Sequence, residues 1–266
     1  MISGLLTCGQ PNRGFMSDGG EGNVGKNEFP WQARLSLPGC SACCGGSVLS
    51  RYHILTAAHC TTRYPVQNMT IWTGDHDYSR TDGEESHAVC NKTVHPEYGK
   101  MTRHDKDIAV LHLCEPLLFS HGKFSKYFQW NLMSIFPAVR PICLPDYGQD
   151  YDNVSALVTG WGWTTRSGSE SSILQEVKVA TITRSQCGTR YGYHRITENM
   201  ICTEPTGDLN VCWEFGGGPL AVRGPDGSYS QIGIVSWGRG CGGGYPWVYT
   251  RITALLPWLT EMIEER

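Results

Sequence analysis

Long apolar segments are missing from this sequence, and charge of either sign is sparse. No apolar run approaches the ~20 residues that a membrane-spanning helix needs, so we expect no membrane span. Charged residues make up 18% of the chain and the formal net charge is −3, which gives no electrostatic argument for nucleic acid as a partner. Hydrophobic residues reach 40%, so the composition also excludes a disordered or fibrous chain.

The start of the chain lacks the features of a secretory signal. Met1–Thr7 is too short for one and carries no basic residue. We therefore expect the natural N-terminus to lie upstream of Met1. Residues 1–20 are Gly-rich and polar, and they are predicted to form an irregular leader ahead of a folded domain over residues 21–266.

Cysteine, by contrast, is abundant. The chain has 12 cysteines in 266 residues, scattered rather than grouped as in a structural zinc site. An oxidising compartment would pair them, which favours secretion into the extracellular space. Three glycosylation sequons add weaker support, because such triplets also arise by chance; they begin at Asn68, Asn91 and Asn153.

The apolar residues form many short runs separated by Gly, Pro, Asn and Asp, which is typical of a β-sandwich or β-barrel. With 32 Gly and 14 Pro, the chain has many turn residues. The predicted strands are Gln32–Leu37, Ser47–Leu55, Met69–Trp72, His87–Val94, Ile108–Leu113, Ala156–Gly160, Leu174–Ile182, Pro219–Val222, Gln231–Trp237 and Trp247–Ile252. A helix is predicted over about Ile252–Glu264, where Leu255, Leu256, Leu259 and Ile263 recur at helical spacing.

Seven short sequence motifs follow one another along the chain in a specific order. They are Thr56-Ala-Ala-His-Cys60, Asp107-Ile-Ala-Val-Leu-His-Leu113, Arg140-Pro-Ile-Cys-Leu-Pro145, Thr159-Gly-Trp-Gly-Trp163, Gly216-Gly-Gly-Pro-Leu220, Ile234-Val-Ser-Trp-Gly238 and Pro246-Trp-Val-Tyr-Thr250. In this order and at these separations, the chain resembles the chymotrypsin/trypsin family of serine proteases over about residues 17–266. The resemblance implies an all-β fold of two six-stranded antiparallel β-barrels with a C-terminal helix, and an active site between the barrels.

The same resemblance implies an incomplete catalytic set. His59 and Asp107 stand where the family has its general base and the acid that orients it. Gly216, however, stands at the position of the nucleophilic Ser, and no Ser or Thr occurs between residues 209 and 220. Phe215 replaces the Asp that holds the cut N-terminus in the family, and Glu214 replaces a Gly of the oxyanion hole. We therefore expect a vestigial His–Asp pair without peptidase activity.

The specificity pocket departs from the family as well. Asn210 stands at its floor in place of an acid, and Trp247 replaces a wall glycine. The indole of Trp247 either fills the slot or packs in the core of the second barrel, and both alternatives remove substrate access. The edge Ser236-Trp237-Gly238, which pairs with substrate backbone in the family, is retained, so peptide capture by strand addition stays open.

The resemblance also implies four disulfides, Cys44–Cys60, Cys187–Cys202, Cys212–Cys241 and Cys8–Cys143, the last of which would tether the leader. Cys90 and Cys114 lie on consecutive predicted strands and are paired on that ground. Cys40 and Cys43 remain, and they either pair within their loop or bond another chain.

An acidic loop over residues 75–85 suits Ca²⁺, because carboxylates and carbonyl oxygens are its preferred ligands. The family's corresponding loop implies the ligands Asp75, Asp82 and Glu85 through carboxylates, and Asp77 and Arg80 through main-chain oxygens. The alternative is a solvated acidic loop without metal. No cofactor is expected to be needed for the chemistry itself.

One segment has no counterpart in the family pattern. Gly122–Pro137 is rich in aromatic residues and interrupts the expected text between His121 and Ala138. It is either a surface loop that docks a partner or a translated intron.

Three hypotheses about function follow. The first is a secreted, non-catalytic serine protease homologue that binds a protease, a zymogen or a surface component; it resembles invertebrate immune and clotting homologues with Gly at this position. The second is a weakly active serine endopeptidase. The third is a structural or adhesive secreted protein.

Overall fold

The computed structural model describes residues 8–12, 22–119, 138–163, 170–205, 216–239 and 244–264. Its strands are β1 (Gly22–Asn23), β2 (Gln32–Leu37), β3 (Cys40–Val48), β4 (His53–Thr56), β5 (Thr70–Thr73), β6 (Glu85–Val94), β7 (Ala109–Leu113), β8 (Ser155–Trp163), β9 (Glu170–Ile182), β10 (Met200–Thr203), β11 (Pro219–Arg223), β12 (Tyr229–Trp237) and β13 (Trp247–Arg251). Its α-helices are α1 (Ala58–Thr61), α2 (Arg184–Tyr191) and α3 (Ile252–Glu264), with 3₁₀ turns at Val66–Asn68 and Tyr193–Arg195.

The first barrel is made of β2 to β7. These strands close in the order β2-β3-β4-β7-β6-β5, and every pair is antiparallel. Short β-rich segments can do this because side chains alternate between the inside and the outside of the barrel. Val48, Ile54, Leu111 and Leu113 are fully buried, so these strands carry a large share of the core.

The second barrel is made of β8 to β13. Its strands follow the order β9-β10-β13-β12-β11-β8, and β8 also pairs with β9, which closes the ring. The short strand β1 adds to the outside of β9. The predicted architecture of two six-stranded antiparallel barrels is therefore confirmed. The predicted C-terminal helix is confirmed as α3, which buries Leu255, Leu256 and Leu259.

Two local predictions were wrong or incomplete. The run Ser47–Leu55, predicted as one strand, is divided between β3 and β4 by a turn. There the Oγ of Ser50 accepts hydrogen bonds from the main-chain N–H groups of Tyr52 and His53. The apolar pattern continues across the turn, because residues on both sides face the same core. At the other end, Ile252 begins helix α3 instead of ending β13.

Helix α2 was missed by the sequence analysis, although the chain carries a signal for it. The side chain of Thr183 accepts a hydrogen bond from the main-chain N–H of Gln186, and the Gln186 side chain accepts one from the N–H of Thr183. This reciprocal capping box satisfies two N–H groups at the helix start. Thr183-x-x-Gln186 was therefore the available clue.

The disulfides follow the predicted pairing wherever the structure describes both partners. Cys8 bonds Cys143, Cys44 bonds Cys60, Cys90 bonds Cys114 and Cys187 bonds Cys202. Cys40 and Cys43, whose pairing the sequence left open, are bonded to each other. Cys212, Cys241 and the segment Gly122–Pro137 lie outside the described residues.

The described part of the leader is packed onto the domain. Besides the disulfide of Cys8, the N–H of Gly9 donates to the carbonyl of Pro141 at 2.8 Å, and the N–H of Tyr229 donates to the carbonyl of Gly9 at 2.7 Å. Gly9 is therefore held against strand β12 of the second barrel, while the N–H of Asn12 donates to the carbonyl of Glu28. Within the described ranges, no helix combines the length and the apolar character that crossing a membrane requires.

Candidate active-site cleft

The predicted base and its orienting acid are brought together at the junction of the barrels. β4 and β7 are antiparallel neighbours, with Thr56 opposite Ala109, so α1 after β4 and the residues before β7 meet. Asp107 Oδ2 lies 2.7 Å from His59 Nδ1, and Asp107 Oδ1 accepts the main-chain N–H of His59 at 2.8 Å. The carboxylate thus holds both the ring and the backbone of His59.

The second barrel also contributes to this pair. Ser236 on β12 donates its hydroxyl to Asp107 Oδ2 at 2.6 Å, and Thr250 on β13 donates to the main-chain carbonyl of Asp107 at 2.7 Å. Asp107 is fully buried, and buried polar atoms need hydrogen-bond partners such as these. The acid therefore links the two barrels as well as orienting the histidine.

The imidazole of His59 is tuned by two opposing effects. Burial, the largest effect, lowers its pKa, whereas the hydrogen bond to Asp107 and the negative charge of Asp107 raise it, and the net result is a raised pKa. Its side chain keeps 30% exposure, and its second ring nitrogen, Nε2, lies 3.5 Å from the Sγ atom of Cys60. The arrangement is that of a general base whose tautomer is set by a carboxylate.

Gly216 begins a turn pinned between the barrels. Its carbonyl accepts the N–H of Gly45, on β3, at 2.7 Å, and the next N–H, that of Gly217, donates to Val235 on β12 at 2.9 Å. Gly217 has a φ of +80°, and a β-carbon there would lie 2.3 Å from Thr56 Oγ1. The turn is therefore closely fitted, but position 216 offers no side-chain oxygen. Glu214 and Phe215 lie outside the described residues.

Of the two interpretations of Trp247, packing in the core of the second barrel is observed, whereas filling of the specificity slot stays a prediction. It is 4% exposed and belongs to the core of the second barrel, with Leu220 and Ile232. Its ring also packs against Gly238, where a β-carbon would lie 2.6 Å from the Trp247 Cε3 atom. The indole therefore lies directly against the Ser236–Gly238 edge. Asn210 is outside the described residues.

Two residues that the sequence analysis missed flank this edge. The half-buried indole of Trp237 stacks with His104 at 5.9 Å between ring centroids and meets Tyr191 edge-on at 4.8 Å. His104 in turn lies 6.4 Å, centroid to centroid, from His59. No motif marked His104 or Tyr191, because their positions depend on contacts between segments far apart in the chain.

One further cluster has the residue types of a metal site but not their chemistry. Cys44, His59 and Cys60 bring their ligand atoms within 4.8 Å of one another, the single such group in the described part of the chain. Cys44 and Cys60 are bonded to each other, so neither can supply a thiolate. The cluster is therefore a disulfide beside the histidine.

Comparison with known proteins identifies the family. A sequence model described as Trypsin matches residues 19–259. This chain belongs to the trypsin family. The venom serine protease of Polistes dominula is 31% identical over 261 residues, which cover 95% of this chain and 86% of that protein. Serine proteinase stubble of Drosophila melanogaster is 32% identical over 249 residues, covering 88% of this chain and 30% of that protein.

A third relative, transmembrane protease serine 7 of Mus musculus, is 34% identical over 241 residues, covering 88% of this chain and 27% of that protein. This trypsin-family chain therefore spans most of the wasp relative and less than a third of the other two. Family chemistry uses protein groups alone and needs no cofactor.

Cationic side chains contact the acidic loop of this trypsin-family chain, two of them from outside the loop. The buried guanidinium of Arg34 contacts Asp75 Oδ2 at 2.6 Å, and the Lys26 ammonium donates to the carbonyl of Asp82. Arg80 pairs with Asp77 at 3.0 Å, and the Asp77 carbonyl accepts the N–H of Arg80 at 3.1 Å.

Within the described residues, the three predicted carboxylate ligands Asp75, Asp82 and Glu85 do not bring their oxygens within 4.8 Å of one another. The main-chain oxygens predicted for Asp77 and Arg80 stay a prediction. Two oxygens, Asp75 Oδ1 and Asp82 Oδ1, are buried and have no hydrogen-bond partner among those residues. Burial raises the pKa of Asp75, which Arg34 partly offsets.

All three sequon asparagines of this trypsin-family chain are exposed. Asn68 ends a 3₁₀ turn, Asn91 lies on β6 and Asn153 precedes β8. Exposure is required for a glycan, so none of the three sites is excluded by burial.

Proposed function

We propose that this chain is a secreted trypsin-family homologue that does not cleave peptides and acts by binding a protein partner, as a cofactor or regulator in a proteolytic cascade such as innate immunity or clotting. The observation that carries the proposal is glycine at position 216. The His59–Asp107 pair is assembled beside a turn that lacks a hydroxyl for it to deprotonate.

The size of the loss supports inactivity. Removing a triad nucleophile costs about 10⁶ in kcat, which corresponds to about 8 kcal/mol in the activation barrier. An intact base and acid cannot compensate, because the triad members act as a unit and the acyl intermediate needs an oxygen on the enzyme.

Three further departures support the same conclusion. Glu214 would put negative charge beside the place where the oxyanion develops, and Phe215 cannot pair with a new N-terminus. The indole of Trp247 lies against Gly238, at the edge where a substrate side chain would enter the slot. The nucleophile, the activation switch and the pocket would all have to be restored for efficient cleavage.

A binding role is supported by what this chain keeps. Five disulfides stabilise the described domain, which suits an extracellular protein. The edge Ser236–Gly238 follows Ile234, which is the last residue of β12 that pairs with β11, so β11 does not cover it. An extended peptide could add main-chain hydrogen bonds there.

An active-site probe tests the proposal. The purified chain and the variant Gly216→Ser are treated with a fluorophosphonate, with active trypsin as the positive control. We expect labelling of trypsin and of neither form of this chain. Labelling of the natural chain would refute inactivity; labelling of the variant alone would refute the claim that pocket and switch are also lost.

The second candidate is weak endopeptidase activity. The assembled network of His59, Asp107 and Ser236 favours it, because such a network could orient a water molecule. Weak endopeptidase activity predicts hydrolysis by the natural chain that disappears in His59→Ala. The binding proposal predicts no difference in hydrolysis between the natural chain and His59→Ala.

For the acidic loop, calcium is the weaker of the two hypotheses. Arg34 already pairs with the Asp75 carboxylate and Lys26 donates to the main-chain carbonyl of Asp82, although Asp75 Oδ1 and Asp82 Oδ1 have no partner in the described residues. We expect the same Tm in EDTA and in millimolar Ca²⁺. A higher Tm in Ca²⁺ would establish a site, since a ligand of the folded state raises stability.

A further inference from the structure

A cationic cavity opens beside the Ser236–Gly238 edge. Its volume is about 390 Å³ and its lining is three arginines, two aromatic rings and a glycine: Arg190, Tyr191, Arg195, Trp237, Gly238 and Arg239. All three arginines are exposed. We refer to this lining as the arginine cavity.

The walls of the arginine cavity are held in place by aromatic contacts. Tyr191 meets the Trp237 ring at 4.8 Å and donates its hydroxyl to the carbonyl of Pro246 at 2.6 Å. Tyr245 lies 5.4 Å from Tyr191, centroid to centroid, and Arg239 stacks over the Tyr245 ring at 4.8 Å. Part of the guanidinium surface is therefore fixed before any ligand arrives, which lowers the entropic cost of binding.

The charge of the arginine cavity is uncompensated in the described residues. No carboxylate in those ranges forms an ion pair with Arg190, Arg195 or Arg239; the neighbouring pair is Arg184 with Glu198, at 3.8 Å. The whole chain carries a net charge of −3, so the three positive charges here are not part of a generally basic chain. A guanidinium presents a planar fork of donors that matches a carboxylate, so three of them select an acidic ligand.

We propose that the arginine cavity binds an extended acidic peptide segment of the protein partner. The inference rests on the proposed binding function and adds the chemistry of the partner. A peptide is favoured over a sulfated glycan because the cavity adjoins the Ser236–Gly238 edge. Strand β11 pairs with β12 only as far as Ile234, so it does not cover this edge. Only a polypeptide can make β-type main-chain hydrogen bonds there while its carboxylates contact the arginines.

The test measures binding of a fluorescein-labelled hexaglutamate peptide by fluorescence anisotropy. Hexaglutamine of the same length and a heparin hexasaccharide are the comparison ligands. The variant Arg190→Gln/Arg195→Gln/Arg239→Gln removes the three charges and keeps polar side chains of similar reach. The matched control removes three exposed arginines elsewhere: Arg51→Gln/Arg63→Gln/Arg223→Gln.

We expect hexaglutamate to bind the natural chain more tightly than either comparison ligand. The cavity variant should lose about tenfold or more in affinity, the control variant less than about twofold, and binding should weaken as salt rises. Circular dichroism and Tm confirm that both variants fold. Equal losses in the two variants, tighter binding of the glycan, or no preference over hexaglutamine would overturn the proposal. Fluorophosphonate labelling is scored separately, so loss of this site and failure of the inactivity proposal are distinguishable.

Discussion

Trp247 offers a test of how the core of the second barrel is joined to the Ser236–Gly238 edge, because its indole contacts both. The ring is 4% exposed in the core of the second barrel and lies against the backbone of Gly238. The substitution Trp247→Ala removes the ring and leaves a cavity between that core and the substrate edge.

The expected cost follows from burial. A tryptophan side chain buries roughly 150–250 Å², and at about 25 cal/mol per Å² this corresponds to about 4–6 kcal/mol. Measured Trp→Ala costs run to about 3–5 kcal/mol. For a domain of this size, each 1 kcal/mol lowers Tm by about 2–4 °C, so Trp247→Ala should lose roughly 6–20 °C. Trp247→Phe keeps an aromatic ring and should lose less.

Thermal and urea unfolding measure this loss, and added indole provides the specific control. An apolar cavity of the right shape takes up a small aromatic molecule, so indole should restore part of the Tm of Trp247→Ala and leave the natural chain unchanged. A loss below about 1 kcal/mol, or no response to indole, would refute the account of a ring packed between the core and Gly238.

Two further predictions concern charges. Asp107→Asn removes the negative charge that raises the pKa of His59, so the imidazole should titrate at lower pH by NMR. In the natural chain, the His59–Asp107 pair stabilises the fold fully below pH 6.5, the ordinary pKa of histidine. This stabilisation is lost as the pH rises through the raised pKa of the folded state. An unchanged titration would contradict the assigned pairing. Arg34→Met leaves the buried Asp75 carboxylate without its cation and should cost about 3–5 kcal/mol in urea unfolding. Arg80→Met, at an exposed ion pair, should cost less than about 1 kcal/mol; equal costs would contradict the assigned burial.

Much of the architecture could be predicted from local pattern and ordered motifs. The alternating runs located the strands because side-chain direction alternates along a strand, and the tail helix followed from the spacing of Leu255, Leu256 and Leu259. Pairing of Cys8 with Cys143, across 135 residues, could not come from spacing. It followed from resemblance to a family in which the fold brings such segments together.

What escaped prediction depends on contacts that no local pattern encodes. The turn at Ser50 interrupts the run Ser47–Leu55 without Gly or Pro, so the pattern predicts one strand where the chain has two. Arg34 and Asp75 are 41 residues apart, and no local pattern in either segment predicts that a buried guanidinium contacts the acidic loop. His104 and Tyr191 flank Trp237 for the same reason: three separate segments meet only in the folded chain.

The most direct measurement of the central claim is amide hydrolysis by the purified chain. Peptide substrates covering basic, aromatic and small side chains are assayed beside active trypsin and beside a His59→Ala variant prepared in the same way. With glycine at position 216, we predict rates about 10⁶-fold below those of trypsin and no difference between the natural chain and the variant. Turnover comparable to trypsin that vanishes in His59→Ala would contradict the account.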